Sequence, residues 1–367
     1  MIKKLLIFLL IIALCLIPSI TSAAAGNIKV TGSSTKIDFP STLIFNVKAE
    51  SNSDISRIRL CYEIDKMTYA PTFAEFWPEF TPGKSVATRW TWDMRKGSLP
   101  PGARVTYWWV IEDSAGNKLT TPKDVIYFND TRYKWQKVND GQVAVNWYDG
   151  SRSFTEELLK ASVDAINRQA RDTGAYLDKP VNLYIYGNYR DLRGSLVATE
   201  EWTGGVAYAG FNIISIGISP NNLDWGKKAV AHELGHLVVH QITFSPYGAD
   251  LPPWLDEGLA MHAEGEQNKA DHDALVNAIE KDNVYTLKSL SSPFSADPEE
   301  AYFSYAQSQS VVEFLINKYG KDKLYELLIL MRDGYAMDDA LLKVYGFDLT
   351  GLNQAWMQYM MASTSVK

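Results

Sequence analysis

Apolar and polar residues alternate along the first third of the chain, and the period then changes. Leu43, Phe45, Val47 and Ala49 fall on one side of an extended segment. Ile58, Leu60, Tyr62 and Ile64 do the same in a second, opposite Arg57, Arg59, Cys61 and Glu63, and Val105, Tyr107, Trp109 and Ile111 in a third. Period two marks a half-buried strand, because successive side chains point to opposite faces. Turn formers separate the runs: Thr81-Pro82-Gly83, Pro100-Pro101-Gly102 and Ser114-Ala115-Gly116-Asn117.

The pattern predicts an antiparallel β-sandwich over residues 26–130, of the immunoglobulin or fibronectin type III kind. Trp77, Trp90, Trp92, Trp108 and Trp109 make it rich in aromatics. They suit a sandwich core with cross-strand pairs, or alternatively a platform for glycan or polymer. Cys61, on the polar side of its strand with no His or helix start beside it, reads as a half-buried spectator.

A short junction from Asp130 to Gly141 leads to a region of helical period. Ser153 to Asp172 predicts a helix, with Ser153 as N-cap and Glu156 closing a capping box. Val181 to Tyr186 reads as a strand. Val206 to Ala209 and Ile213 to Ile218 read as two more, joined by Gly210-Phe211-Asn212. After Asp224 the pattern is helical throughout, with four or so amphipathic helices closing the chain. Residues 131–367 are therefore expected to form an α+β domain, strands early and helices late.

Composition narrows the class. The chain has 367 residues, 22% charged and 46% hydrophobic, enough for two ordinary globular cores. A net charge of −7 and the lack of any Lys/Arg cluster argue against a nucleic-acid surface. Lys3 and Lys4, the apolar run from Leu5 to Ile17 and the small residues Ser22-Ala23-Ala24-Ala25 form the three parts of a secretory signal peptide. Residues 1–25 are expected to be cleaved rather than kept as an anchor, since the run falls short of the ~20 residues of a membrane span. Removal leaves Cys61 as the only cysteine, so stability must come from packing rather than disulfides. A secreted or envelope-associated protein follows, with no transmembrane segment in the mature chain.

The chemistry concentrates in His232-Glu233-Leu234-Gly235-His236 and Pro253-Trp254-Leu255-Asp256-Glu257-Gly258. In a helix, residues four apart share a face, so both imidazoles can grip one metal ion while Glu233 takes a proton from a water. At 100° per residue, Val230, Leu234, Leu237, Val238 and Ile242 form an apolar face. Trp225, Ala229, His232, Glu233 and His236 form another. His240 extends the histidine row by a turn of ~5.4 Å, too far to share an ion bound at about 2.0–2.1 Å. A three-histidine metzincin would need Gly and His where Val239 and Ile242 stand. His240 thus reads as a pocket-wall or outer residue, or one that touches substrate. Glu257, in a helix restarted by Pro252-Pro253, is the best third ligand, and Asp256 can accept the free N–H of a ligand histidine. Three protein ligands and an open position describe a catalytic Zn2+ site. Glu264 and Glu266, at the far end of that helix, read as solvated.

The two motifs together resemble the gluzincin pattern of thermolysin-like and aminopeptidase N-like enzymes, and are most similar to the peptidase MA-like family. Tyr305-Ala306-Gln307-Ser308 and Val311-Val312-Glu313-Phe314-Leu315 resemble that family's helix after the active site, and the likeness spans about residues 135–360. It implies a thermolysin-like metallopeptidase domain with a helical C-terminal half. His232, His236 and Glu257 would be the zinc ligands, Glu233 the general base and a peptide or protein the substrate. It also implies that Tyr305 stabilises the tetrahedral intermediate, with Tyr302 as rival. Trp202-Thr203-Gly204-Gly205-Val206-Ala207-Tyr208 resembles the edge strand that lies along a bound peptide, making Gly205, Val206 and Ala207 substrate-binding. No Gly-Ala-Met-Glu-Asn run is present, so amino-terminal trimming is not implied. Two other readings stay open: an envelope-associated protein whose sandwich binds glycan or protein, and a zinc hydrolase of a non-peptide amide.

Overall fold

The computed structural model describes residues 28–197, 204–247 and 250–364. The expected signal segment lies outside the described residues, as do Trp202 and Thr203.

Seven strands come first: β1 (Lys29–Asp38), β2 (Thr42–Ile64), β3 (Ala74–Phe76), β4 (Gly83–Asp93), β5 (Ala103–Asp113), β6 (Lys118–Thr120) and β7 (Asp124–Phe128). Their pairings are all antiparallel, and β2, 23 residues long, joins them into one hydrogen-bonded sheet. Its first half runs between β1 and β4, its second between β3 and β5. Buried positions are odd-numbered in the first half (Leu43, Phe45, Val47, Ala49) and even-numbered in the second (Ile58, Leu60, Tyr62). The register against β5 slips between Ile55 and Arg57. One extra residue in a ladder reverses the side-chain phase, so both halves of β2 feed one core. Val105, Tyr107, Trp109 and Ile111 of β5 complete it.

Cys61 departs from its expected half-exposed position. It is 1% exposed, between its cross-strand neighbours Trp108 and Glu75. Burial, then the Glu75 carboxylate, push its thiol up to about 11. Most tryptophans pack: Trp109 is in the core, Trp90 stacks on Phe76 at 4.2 Å, and Trp108 meets Phe73 and Lys123. Trp77 is 61% exposed.

Residues 130–141 do more than connect. Asp130 is buried and accepts hydrogen bonds from Arg132 and the Tyr186 hydroxyl. Trp135 packs edge-on against Tyr148, Tyr184 and Tyr186. The stretch also contributes β8 (Gln136–Asn139).

β9 (Val143–Trp147), α1 (Arg152–Asp172) and β10 (Val181–Tyr186) form a parallel strand–helix–strand unit. The cap of α1 is Ser151, whose Oγ accepts from Phe154 N at 3.1 Å, rather than Ser153; Glu156 instead pairs with Arg152. α2 (Tyr189–Arg193), β11 (Gly205–Tyr208) and β12 (Ile213–Gly217) follow. The five-stranded sheet has the order β11-β12-β10-β9-β8, its inner three strands parallel and its outer two antiparallel.

Then come α3 (Leu223–Thr243), α4 (Pro253–Glu264), α5 (Lys269–Glu280), α6 (Pro298–Tyr319), α7 (Lys321–Arg332), α8 (Met337–Tyr345) and α9 (Leu349–Thr364). Phe154, Leu158 and Ile166 of α1 and Val230, Leu234, Leu237 and Val238 of α3 pack on the strand residues Val145, Leu183, Ile185 and Ile214. A second core, around Trp254, Leu259, Val312, Leu327 and Trp356, gathers the later helices. Among the described residues no helix is long and apolar enough to cross a membrane.

Candidate metal centre

The apolar face of α3 is fully buried, at Val230, Leu234, Leu237 and Val238, and this leaves His232 and His236 facing α4. α4 begins at Pro253, where proline costs no helical hydrogen bond, and buries Trp254 and Leu255 in the adjacent core. Two glycines set how closely the helices meet. A Cβ at Gly235 would lie 2.7 Å from Ala260 Cα on α4, and one at Gly258 would lie 2.5 Å from Ser308 O on α6.

That contact brings Glu257 up to the histidines. His232 Nε2 and His236 Nε2 are 3.2 Å apart, and Glu257 Oε2 lies 3.3 and 3.4 Å from them. Three corners of a tetrahedron with zinc bonds of about 2.0–2.1 Å stand about 3.3–3.4 Å apart. Glu257 Oε2 is buried and has no well-aligned hydrogen bond among the described residues. Two nitrogens and one carboxylate oxygen converging on such a point fit a zinc ion.

The remaining imidazole nitrogens face carboxylates. Asp256 Oδ1 lies 3.1 Å from His236 Nδ1 and 3.2 Å from His240 Nε2. Glu264 Oε1 lies 2.9 Å from His232 Nδ1, with its side chain only 18% exposed. The solvated position expected of Glu264 is therefore corrected. Seven residues separate it from Glu257, so two turns of α4 bring it back to the same face. Glu266 is exposed.

Charge and burial compete here. Burial alone would lower the basicity of His232, but the carboxylates of Glu257 and Glu264 outweigh it and raise its pKa to about 9. His236 is raised likewise, Asp256 and Glu257 prevailing over burial. Burial would raise Glu257, yet the two imidazoles 3.3 and 3.4 Å from it hold it down to about 2. Glu233 is pushed above the ordinary carboxylate range by burial, despite His236 and His232.

Glu233 faces the edge of the five-stranded sheet. A Cβ at Gly205 would come within 2.9 Å of Glu233 Oε1, so a side chain at the first residue of β11 would displace that carboxylate. Gly205, Val206 and Ala207 are half-buried and pair with Ile216, Ser215 and Ile214 of β12. β11 stands at the end of the sheet order, its other side without a strand among the described residues.

On α6, the Tyr305 ring lies 6.2 Å from that of His232 and edge-on to Phe294. Burial, then the carboxylates of Glu257 and Glu233, raise its hydroxyl to about 12. The Tyr302 hydroxyl donates to Asp271 at 3.0 Å, and its side chain is exposed. Both tyrosines line a cavity of about 380 Å³ beside His232, with Lys228 and Glu264. A second cavity, of about 310 Å³, opens beside His240 toward the other end of α3.

The comparisons agree with this geometry at family level. The Peptidase MA superfamily profile matches residues 161–362. No curated protein matches the chain. Among solved structures, an M1 zinc metallopeptidase from Deinococcus radiodurans aligns over 90% of this chain and 94% of its own, at 12% identity and a TM-score of 0.34. OgpA from Akkermansia muciniphila aligns over 29% of this chain and 28% of its own, at 8% identity and a TM-score of 0.24. Neither structural likeness bears weight beside the profile. Because the matched span exceeds half the sequence and contains all three donors of the triangle, the chain belongs to the Peptidase MA superfamily.

Proposed function

We propose that the chain is a secreted zinc peptidase of the gluzincin type, hydrolysing peptide bonds with Glu233 as general base. The observation that carries this is the triangle of His232 Nε2, His236 Nε2 and Glu257 Oε2, with edges of 3.2–3.4 Å. What the ion supplies when bound there is Lewis acidity, which acidifies a water and polarises a carbonyl.

The protein's own residues do the rest. Glu233, made more basic by burial, takes a proton from the attacking water and hands it to the leaving amine as the C–N bond breaks. Tyr305 keeps its proton in this setting and donates a hydrogen bond to the developing oxyanion. Asp256 and Glu264 fix the ring orientation of His236 and His232. Gly205, Val206 and Ala207 offer main-chain groups at an open strand edge to an extended peptide, and His240 walls the cleft. In domain terms, residues 1–25 are a cleaved signal, 26–130 an immunoglobulin-like sandwich folded about the bulge in β2, and 131–367 the peptidase.

Glu233→Gln is the test. It is expected to retain zinc and to lose at least about two orders of magnitude in rate, the low end for a general base. Normal hydrolysis by this variant would end the assignment. A peptide-library digest with metal restored after chelation separates a peptidase from a hydrolase of other amides.

A second reading, glycan binding by the β-rich region, has one observation in its favour. Trp77 is 61% exposed and lines an open groove with Lys48 and Arg89. Pull-down on insoluble polysaccharide, lost in Trp77→Ala, would support it; no retention of the parent chain removes it.

A further inference from the structure

The loop between β2 and β3 reaches out of the β-rich region to the metal helix. Met67 donates its main-chain N–H to Gly210 O at 2.6 Å, just past the end of β11. The Tyr69 ring stacks on Phe244 at 4.6 Å and 15°, and its hydroxyl donates to Ser245 O at 3.0 Å, just past the end of α3. One loop thus ties the end of the edge strand to the end of the helix that carries both histidines. Beneath it lies the cavity of about 310 Å³, walled by Met67, Tyr69, Phe244, Leu251 and His240. His240 is one helical turn from His236, and its Nε2 lies 3.2 Å from Asp256 Oδ1.

We propose that this cavity is a side-chain subsite of the peptidase cleft, that it takes a bulky apolar or aromatic substrate residue, and that the β-rich region confers this preference through Met67 and Tyr69. The inference rests on the peptidase reading. Its volume lies at the small end of ligand pockets, room for one large side chain. Methionine adapts its unbranched thioether to varied apolar shapes and favours aromatic partners. Tyr69 is fixed by both a stack and a hydrogen bond, so its ring presents a preformed surface. The carboxylate on the lining, Asp250, is exposed at the rim, where solvent screens it, so it contributes little to the choice between charged and apolar substrate residues.

The experiment is cleavage-site mapping on a peptide mixture with the full, zinc-loaded chain, for the parent and for Met67→Glu and Met67→Lys. Peptide affinity is measured in parallel in the Glu233→Gln background. The parent is expected to enrich large apolar or aromatic residues at one position relative to the cut. Met67→Glu should raise Lys and Arg at that position about fivefold, and Met67→Lys should raise Asp and Glu, as expected for an ion pair at a partly exposed site. The same order should appear in the affinities. The two variants have opposite signs, so damage to the fold cannot imitate the result. An unchanged preference in both, with zinc content and turnover intact, overturns the subsite and leaves the peptidase standing. A zinc-loaded parent that neither cleaves nor binds any peptide overturns the peptidase reading, and the subsite with it.

Discussion

Each histidine of the triangle has its own carboxylate behind it, Asp256 for His236 and Glu264 for His232. Partners of this kind typically change metal affinity about 10–100-fold, so Glu264→Gln should weaken zinc binding on that scale, as should Asp256→Asn. Glu266→Gln, on an exposed side chain, should leave it alone. Competition with a chromogenic chelator reads all three; parent-like affinity in Glu264→Gln would remove Glu264 from the site. Cys61 gives a pH prediction. Its folded pKa, about 11, stands above the ordinary thiol value of about 8.5, so folding favours the protonated form. That contribution is complete below about pH 8.5 and is lost as pH rises toward 11. Iodoacetamide at pH 8 should therefore label Cys61 slowly in the native protein and rapidly in denaturant; fast native labelling contradicts the buried thiol. The motif positions His232, Glu233, His236 and Glu257 were legible in the sequence because their geometry is largely local to two helices. Glu264 was missed although its spacing from Glu257 puts both on one face of α4, because its reach to His232 also depends on how α4 tilts across α3.

At the scale of elements, Gly235 and Gly258 decide that tilt. Alanine is favoured over glycine inside a helix by up to about 1 kcal/mol. At Gly258, however, the new Cβ would lie 2.5 Å from the backbone oxygen of Ser308, which cannot rotate aside. Overpacking of about 1–3 kcal/mol exceeds the propensity gain, so Gly258→Ala should be destabilised in a denaturant titration and should bind zinc more weakly. A stabilised variant would show that α4 and α6 can part freely. Periodicity found β5, both halves of β2 and the helices α1 and α3, since burial on one face writes its period into the chain, but not β1 or β4. It missed what depends on partners: the covering of Cys61 by two neighbouring strands, the shift of the α1 cap to Ser151, and the strand within residues 130–141. The bulge in β2 shifts its apolar positions from odd to even, so this one strand reads as two in the sequence.

At the scale of the molecule, the metal should act as a clasp between α3 and α4, and thereby between the sheet-packed core and the C-terminal helical core. A ligand that binds only the folded state at a thousand times its Kd adds about 4 kcal/mol. Chelation should accordingly lower the melting temperature, and zinc should restore it; a melt indifferent to zinc would contradict the clasp. The docking of loop 65–73 on α3 was not legible, because contacts between distant segments leave no local pattern. The profile match begins at residue 161, within α1, whereas the sheet that carries the site begins earlier. Val143–Trp147 supplies the parallel partner on one flank of β10, whose Val181, Leu183 and Ile185 are buried. A fragment cut at the profile boundary would strip that partner away and leave a largely apolar six-residue strand with its amide and carbonyl groups open to any passing chain. The boundary of family likeness is thus a poor place to cut the gene, and expression of residues 161–367 should yield aggregates with the metal ligands all present.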